Sequence, residues 1–209
     1  MVNYGFVPSK MDGTEHVFEM KGKMEIPESI CYKDYLPSVL DQGNRPICVP
    51  CSISAFINWQ INLEDGNNGR DNGVDYEDIY KHRSSEGDEG MSFKDALNYL
   101  RHNCVKLNYG CKDMVDRYAK IGSDICLKRA LVVNGPCVGG LPVYNTNRFD
   151  FWTPWEDEKL QGYHAVSIVG YNKDGFIIRN SWGEWYGDNG YAVVPYDDFN
   201  KFMEIWTVY

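Results

Sequence analysis

The sequence predicts an α+β protein of two lobes, helical in its first half and stranded in its second. Two patterns set this division. From Cys48 to about Leu63, the residues Cys51, Ile53, Ala55, Ile57, Asn58 and Trp59 recur at steps of three and four, the period of a packed helix. Beyond Asn134, short runs rich in Val, Ile and Tyr alternate with Gly, Asn and Asp, which marks strands and turns. A chain of 209 residues, 43% apolar and 14% aromatic, can fill one compact unit or two small lobes around a cleft.

Each element follows from local chemistry. Residues 1–35 read as extended, with turns at Met11-Asp12-Gly13 and Lys21-Gly22-Lys23. Residues 36–40 lead into a loop around Gln42, and the first helix starts near Cys48, since Pro50 is tolerated in a first turn. Residues 66–73 are a loop by composition. A second helix is expected at about 76–83 and a third at 92–102, with Ser92 as its N-cap and a flexible loop, 84–90, between them. A fourth, at about 125–133, is closed by Asn134-Gly135-Pro136. Strands are expected at 137–143, 164–171, 175–180, 190–194 and 204–209. The acidic, aromatic tract 147–158 reads equally well as a flap or as a packed loop. The whole forms a single domain: a helical lobe at about 36–120, and a β lobe at about 121–209 that takes in the N-terminal segment.

Composition excludes several functions. The 21 basic and 30 acidic residues give a net charge of −9, with no basic stripe for nucleic acid. No run approaches the length of apolar residues that crosses a membrane, and residues 1–24 lack the apolar centre of a signal peptide. Seven cysteines, odd in number and irregular in spacing, suggest free thiols in a reducing, cytoplasmic compartment. No second Cys-x-x-Cys and no His-x-x-x-His accompanies Cys48-Val49-Pro50-Cys51, and the Cys104–Cys111 spacing suits zinc poorly, so no metal is expected.

The chemistry gathers at three places. His164 opens one strand-like run and Asn180 closes the next, sixteen residues later. Adjacent antiparallel strands would set them side by side, so that the amide fixes one ring nitrogen and frees the other for a nucleophile. That nucleophile is Cys48, at the start of a helix whose partial positive charge favours a thiolate. Cys51 lies one turn further in, facing the core, and no βαβ pattern supports a redox pair with Cys48. His16, His82 and His102 read as surface residues.

These segments resemble papain-like cysteine peptidases. Asn180-Ser181-Trp182-Gly183, followed by Gly187-Asp188-Asn189-Gly190-Tyr191, is similar to the family's Asn-Ser-Trp-Gly segment and its closing Gly-Tyr. Gln42, six residues before Cys48, is similar to its Gln-Gly…Cys block, and Gly90-Met91-Ser92 to its cleft-lining segment. The resemblance implies a papain-like two-lobe fold with an antiparallel, barrel-like β lobe. It also implies a cysteine peptidase without a cofactor, acting through an acyl-enzyme intermediate. Cys48, His164 and Asn180 would form the triad, and the Gln42 amide with the Cys48 N–H would form the oxyanion hole. Gly90, Tyr163 and Trp182 would border a peptide or protein substrate, with Trp182 covering the Asn180–His164 pair. The sequence departs from the secreted members' Cys-Gly-[Ser/Ala]-Cys-[Trp/Tyr] signature, and Tyr163, Trp185 and Tyr186 are unusual for their positions. The likeness is therefore to the disulfide-poor, non-secreted branch. Two other functions use the same scaffold: a catalytically silent binding or structural protein, and an amidase or acyltransferase. The altered residues around Cys48 and the lack of an obvious inhibitory pro-segment give weight to the silent protein; for a peptidase, a separate inhibitor or regulator is a further candidate partner.

Overall fold

The computed structural model describes residues 4–20, 22–84 and 90–209. The turn expected at Lys21 and the loop expected at 84–90 lie partly outside them. After an extended N-terminal segment come β1 (Ile30–Cys31) and a 3-10 turn, Lys33–Tyr35. Helix α1 (Cys48–Asp65) ends at Gly66, whose left-handed backbone (φ 66°) returns its N–H to the Asn62 carbonyl. Pro50 falls in its first turn, where no intrahelical donor is lost. The helix is buried without a break from Cys48 through Asn58, so it is a central strut and not a one-sided surface helix.

Helices α2 (Tyr76–Tyr80) and α3 (Phe93–His102) follow, capped by the side chains of Asp75 and Ser92, which accept from the N–H groups of Asp78 and Asp95. Next come a hairpin of β2 (Val105–Leu107) and β3 (Gly110–Lys112), then β4 (Tyr118–Lys120) and α4 (Asp124–Asn134), capped by Ser123. Strands β5 (Cys137–Val143), β6 (Gly162–Tyr171), β7 (Gly175–Arg179), β8 (Tyr191–Pro195) and β9 (Glu204–Val208) complete the chain. Among the described residues they form an antiparallel sheet in the order β4-β9-β5-β6-β7-β8, with β1 added beside β6. The path does not close, so the lobe is an open sheet and not a complete barrel.

Each lobe has its own core. In the first, α1, α2 and α3 pack Ile53, Ile57, Ile79, Phe93 and Leu97 with Trp206 and Val208 from β9. In the second, Leu127 and Leu131 of α4 pack on the sheet with Leu141, Ile168 and Phe176. Helix α1 is fastened to β6 where the Ser167 hydroxyl donates to the Ser52 carbonyl at 2.7 Å. This places the start of α1 beside the start of β6, which is what the chemistry needs.

Several expectations change. The second helix stops at Tyr80 and not Arg83, and β2, β3 and β4 were not foreseen, because strands of three residues carry too little alternation to register. The expectation of seven free thiols is corrected: Cys104 and Cys111 form a disulfide, leaving Cys31, Cys48, Cys51, Cys126 and Cys137 free. The β2–β3 hairpin folds the chain back on itself and brings their Cα atoms to 5.6 Å. Within the tract 147–158, Phe151 and Trp152 are fully buried in the second core, while Phe149 and Trp155 are exposed.

The N-terminal segment wraps both lobes. Phe6 pairs in parallel with Met91, whose N–H donates to the Gly5 carbonyl (2.9 Å) and whose carbonyl accepts from Val7 (3.0 Å). Further on, the Lys120 N–H donates to the His16 carbonyl and the Phe18 N–H to the Lys120 carbonyl, adding the segment to the edge strand β4.

Candidate active site

Two chain crossings assemble the site. At the first, residues 40–42 pair with 181–183: the Gln42 N–H donates to the Ser181 carbonyl (2.8 Å) and the Gly183 N–H to the Leu40 carbonyl (3.0 Å). This carries the loop ahead of α1 onto the end of β7. At the second, the Ala165 N–H of β6 points at Cys48 Sγ, 3.5 Å away. Cys48 is the first residue of α1, and His164 lies next to Ala165 in the chain.

The β6–β7 pairing sets Ser167 opposite Arg179, so the residues at its open end, His164 and Asn180, come together. Asn180 Oδ1 lies 2.7 Å from His164 Nε2 and also accepts from the Ser181 N–H at 2.7 Å. The amide oxygen thus fixes the ring with Nε2–H as donor, leaving Nδ1 for proton transfer. The Trp182 ring lies 4.5 Å from the His164 ring, tilted by 31°, and Phe151 and Tyr186 pack against Trp182 in turn. These aromatics keep water from the Asn180–His164 bond, where a low local dielectric strengthens it.

Gln42 is buried and orientated at both ends of its amide. Oε1 accepts from the Ser181 hydroxyl at 2.5 Å, so Nε2 turns the other way, to the Arg45 carbonyl (2.8 Å) and the Tyr4 carbonyl (3.4 Å). Ser181, in sequence only part of the Asn180–Gly183 motif, fixes which way the Gln42 amide faces. Gly90, at the cleft, has φ +96°, and a Cβ there would lie 2.6 Å from the Gly5 carbonyl oxygen. Tyr163 is half-buried and packs along the first core. The structure therefore converges Gln42, Cys48, His164, Asn180 and Trp182. It sets Gly90 against the N-terminal segment and leaves Tyr163 at the margin.

That segment covers the site. Tyr4 packs edge-on to His164 and beside Trp182, with ring centroids 6.4 and 6.1 Å apart, and its phenol donates to Gln161. Phe6 is buried over Gly140, where a Cβ would come within 2.1 Å of its ring, and contacts Phe93 at 5.0 Å. At the end of the cover, the Ser9 N–H donates to Glu204, a buried carboxylate that also accepts from Trp206. Cys48 and His164 are both fully buried.

Burial decides the protonation state. It pushes the Cys48 thiol up to about 12, against the lowering effect of the Ala165, Val49 and Cys48 N–H groups. It pulls the His164 imidazole down to about 4, against the Asn180 bond and the Tyr4 backbone, which favour the charged ring. The helix start was expected to favour a thiolate, but desolvation outweighs it while the cover is in place. Cys51 is buried with its thiol also pushed up, one turn into the core. Among the described residues no cluster of His, Cys, Asp and Glu could hold a metal ion.

A buried thiol at a helix start, an imidazole fixed by an amide and a backbone N–H beside the sulfur are the groups that a thiol nucleophile and its base would need. Comparison with known proteins agrees. The sequence model of the papain family of cysteine proteases matches residues 63–204, a stretch that includes His164 and Asn180 and begins inside α1 after Cys48. The chain belongs to this family. It is similar to cysteine proteinase 3 of Entamoeba histolytica, at 26% identity over 83% of this chain and 64% of that protein. It is also similar to mouse cathepsin K, at 24% over 90% of this chain and 65% of that protein. The chain thus spans just under two thirds of the length of these relatives. Among solved structures, the fold matches xylellain, a cysteine protease from Xylella fastidiosa, with a TM-score of 0.80 at 23% identity over 99% of this chain and 96% of that one. It also matches a digestive procathepsin L from the larval midgut of Tenebrio molitor, with a TM-score of 0.72 at 18% identity over 99% and 76%.

Proposed function

We propose that the protein is a cysteine-type peptidase whose present form is held latent by its own N-terminal segment. Once the cover has left, water and substrate reach the pair, the desolvation penalty falls, and His164 takes the Cys48 proton. The thiolate attacks the peptide carbonyl, and the Cys48 N–H and the Gln42 amide stabilise the oxyanion. His164 passes its proton to the departing amine, and the acyl-enzyme is hydrolysed by water that His164 deprotonates. Throughout, Asn180 holds the ring.

The observation that carries this reading is the 2.7 Å Asn180–His164 bond on the strand whose next residue, Ala165, touches Cys48 Sγ. The cover itself favours a peptide over a non-protein amide, because an extended chain already lies along Met91 through two backbone hydrogen bonds. In this reading the chain carries a restraint of its own, beside any separate inhibitor or regulator.

The test is to cut or displace residues 4–9 and then follow peptide-library cleavage and iodoacetamide labelling near neutral pH. Rapid labelling of Cys48 with cleavage, both lost in Cys48→Ala and both kept in Cys51→Ala, is the expected result. Rapid labelling without any cleavage would favour a silent binding protein or a different acyl substrate. If Cys51→Ala proves the inert variant, the choice of nucleophile is wrong.

A further inference from the structure

Where the N-terminal segment crosses from α3 towards β4, a concavity of about 310 Å³ is lined by Lys94, Arg101 and Arg117, with Glu15 as the one side-chain carboxylate of its lining and Tyr118 and Tyr209 as aromatic walls. Glu15 and Asp12 answer Lys94, and Asp116 answers Arg117, so among the described residues Arg101 is the cation of this cluster left without a carboxylate partner. Burial raises the Tyr118 phenol, and the charges of Lys94 and Arg101, opposed by those of Glu15 and Asp12, also act on it, which places all four around one space.

The three cations are not equally engaged. Lys94 Nζ is fully committed to the segment, reaching Glu15 at 2.8 Å, the Lys10 carbonyl at 3.2 Å and Asp12 at 3.3 Å. Arg117 pairs with its neighbour Asp116 and lies 5.4 Å from the Tyr209 ring. Arg101, in the last turn of α3, has no hydrogen bond or ion pair among the described residues. A guanidinium with all its donors free, facing a concavity beside a second guanidinium, suits a tetrahedral oxyanion that can accept from both forks.

We propose that this concavity binds a small dianion of the phosphate type, and that the bound anion competes with Asp12 and Glu15 for Lys94. Arg101 and Arg117 supply the main contacts. An ammonium has three protons, and here all three are directed at the segment, so an anion that draws one away loosens the tether between the segment and α3. The ligand is defined by its charge and shape; a free phosphate and a phosphate group on a larger molecule would both fit this chemistry.

The full chain is titrated by calorimetry with inorganic phosphate, and then with AMP, at constant ionic strength set by chloride. In parallel, the alkylation rate of Cys48 is followed with and without phosphate. Saturable phosphate binding is expected, weakened about tenfold or more in Arg101→Gln and unchanged in Lys23→Gln, an exposed lysine outside the concavity. Phosphate should also speed Cys48 alkylation several-fold in the wild type but not in Arg101→Gln. Tighter binding of AMP than of phosphate would identify a phosphorylated metabolite as the source; equal binding would identify the free ion. Absence of saturable binding, or equal binding by Arg101→Gln, would overturn the site. Binding that leaves alkylation unchanged would overturn the competition for Lys94. Alkylation needs only a thiol under the cover, so these outcomes do not depend on hydrolysis.

Discussion

The Ser181 hydroxyl donates to the side-chain oxygen of Gln42, and through that bond the end of β7 dictates which way the Gln42 amide faces. With Oε1 occupied, only the Nε2 donors are available on the cleft side, where the Tyr4 carbonyl now sits. Ser181→Ala should therefore lower kcat about tenfold in uncovered protein with KM little changed, since one ordinary hydrogen bond is worth about 1.4 kcal/mol. Ser181→Thr should restore most of the loss. An equal fall in kcat for both variants would mean that the bond only stabilises the fold.

Asn180→Ala should leave the fold intact and slow turnover, because Asn180 orients His164 and makes or breaks no substrate bond. Steady-state kinetics beside a thermal melt decide this. An unchanged rate would remove Asn180 from the site.

Trp182→Ala should cost activity and stability together. The ring is buried against His164, Phe151 and Tyr186, and truncating a buried tryptophan typically costs about 3–5 kcal/mol. Urea unfolding with unchanged midpoint would sink this placement.

The covered form should lose stability as pH falls from about 6.5 towards 4. His164 titrates near 4 in the covered state and near its ordinary value of 6.5 when exposed, so the exposed form takes up the proton first. The contribution is fully present above 6.5 and is lost as pH falls through the window, to a limit of about 3 kcal/mol. Cys48 acts on the alkaline side: its thiol is raised, so stability falls again once an exposed thiol ionises above about 9. The difference in urea midpoint between wild type and His164→Gln, followed from pH 7 to 4, isolates the acidic limb. A flat difference would show that the imidazole is not desolvated.

A thiol count in denaturant without reductant should give five, with Cys104 and Cys111 joined. Replacing both with serine should cost about 2 kcal/mol, as expected for a short loop. A count of seven in freshly prepared protein would show that Cys104 and Cys111 are not joined.

The helices and long strands were legible because their signals are local: caps at Ser92 and Gly135, the period of α1, and the apolar runs of β5 and β6. The pairing of His164 with Asn180 could be anticipated for the same reason, since one tight β6–β7 connection joins them. What escaped depends on contacts between distant residues. The Cys104–Cys111 bond depends on a hairpin whose strands are too short to show in sequence, and the Gln42–Ser181 bond spans 139 residues. The extended segment 4–9 has no pattern of its own, because its backbone is held by Met91 and its Phe6 by space over Gly140. A small hint existed in Gly5 and Gly90. A Cβ on Gly90 would strike the Gly5 backbone and one on Gly5 the Pro46 backbone, so neither tolerates a side chain, but nothing in the sequence pairs these segments.

That the cover is continuous with the rest of the chain has a consequence of its own. A tethered blocker competes at an effective local concentration, on the order of millimolar for short flexible links, whatever the amount of protein in solution. Residues 4–9 thus need no high intrinsic affinity to exclude a substrate present at micromolar levels, and dilution cannot release them. A single break in the chain beyond Ser9 would turn this blocker into an ordinary free peptide, diluted to the concentration of the protein itself. Release by such a break would be abrupt and irreversible, unlike the graded loosening that an anion beside Arg101 would bring.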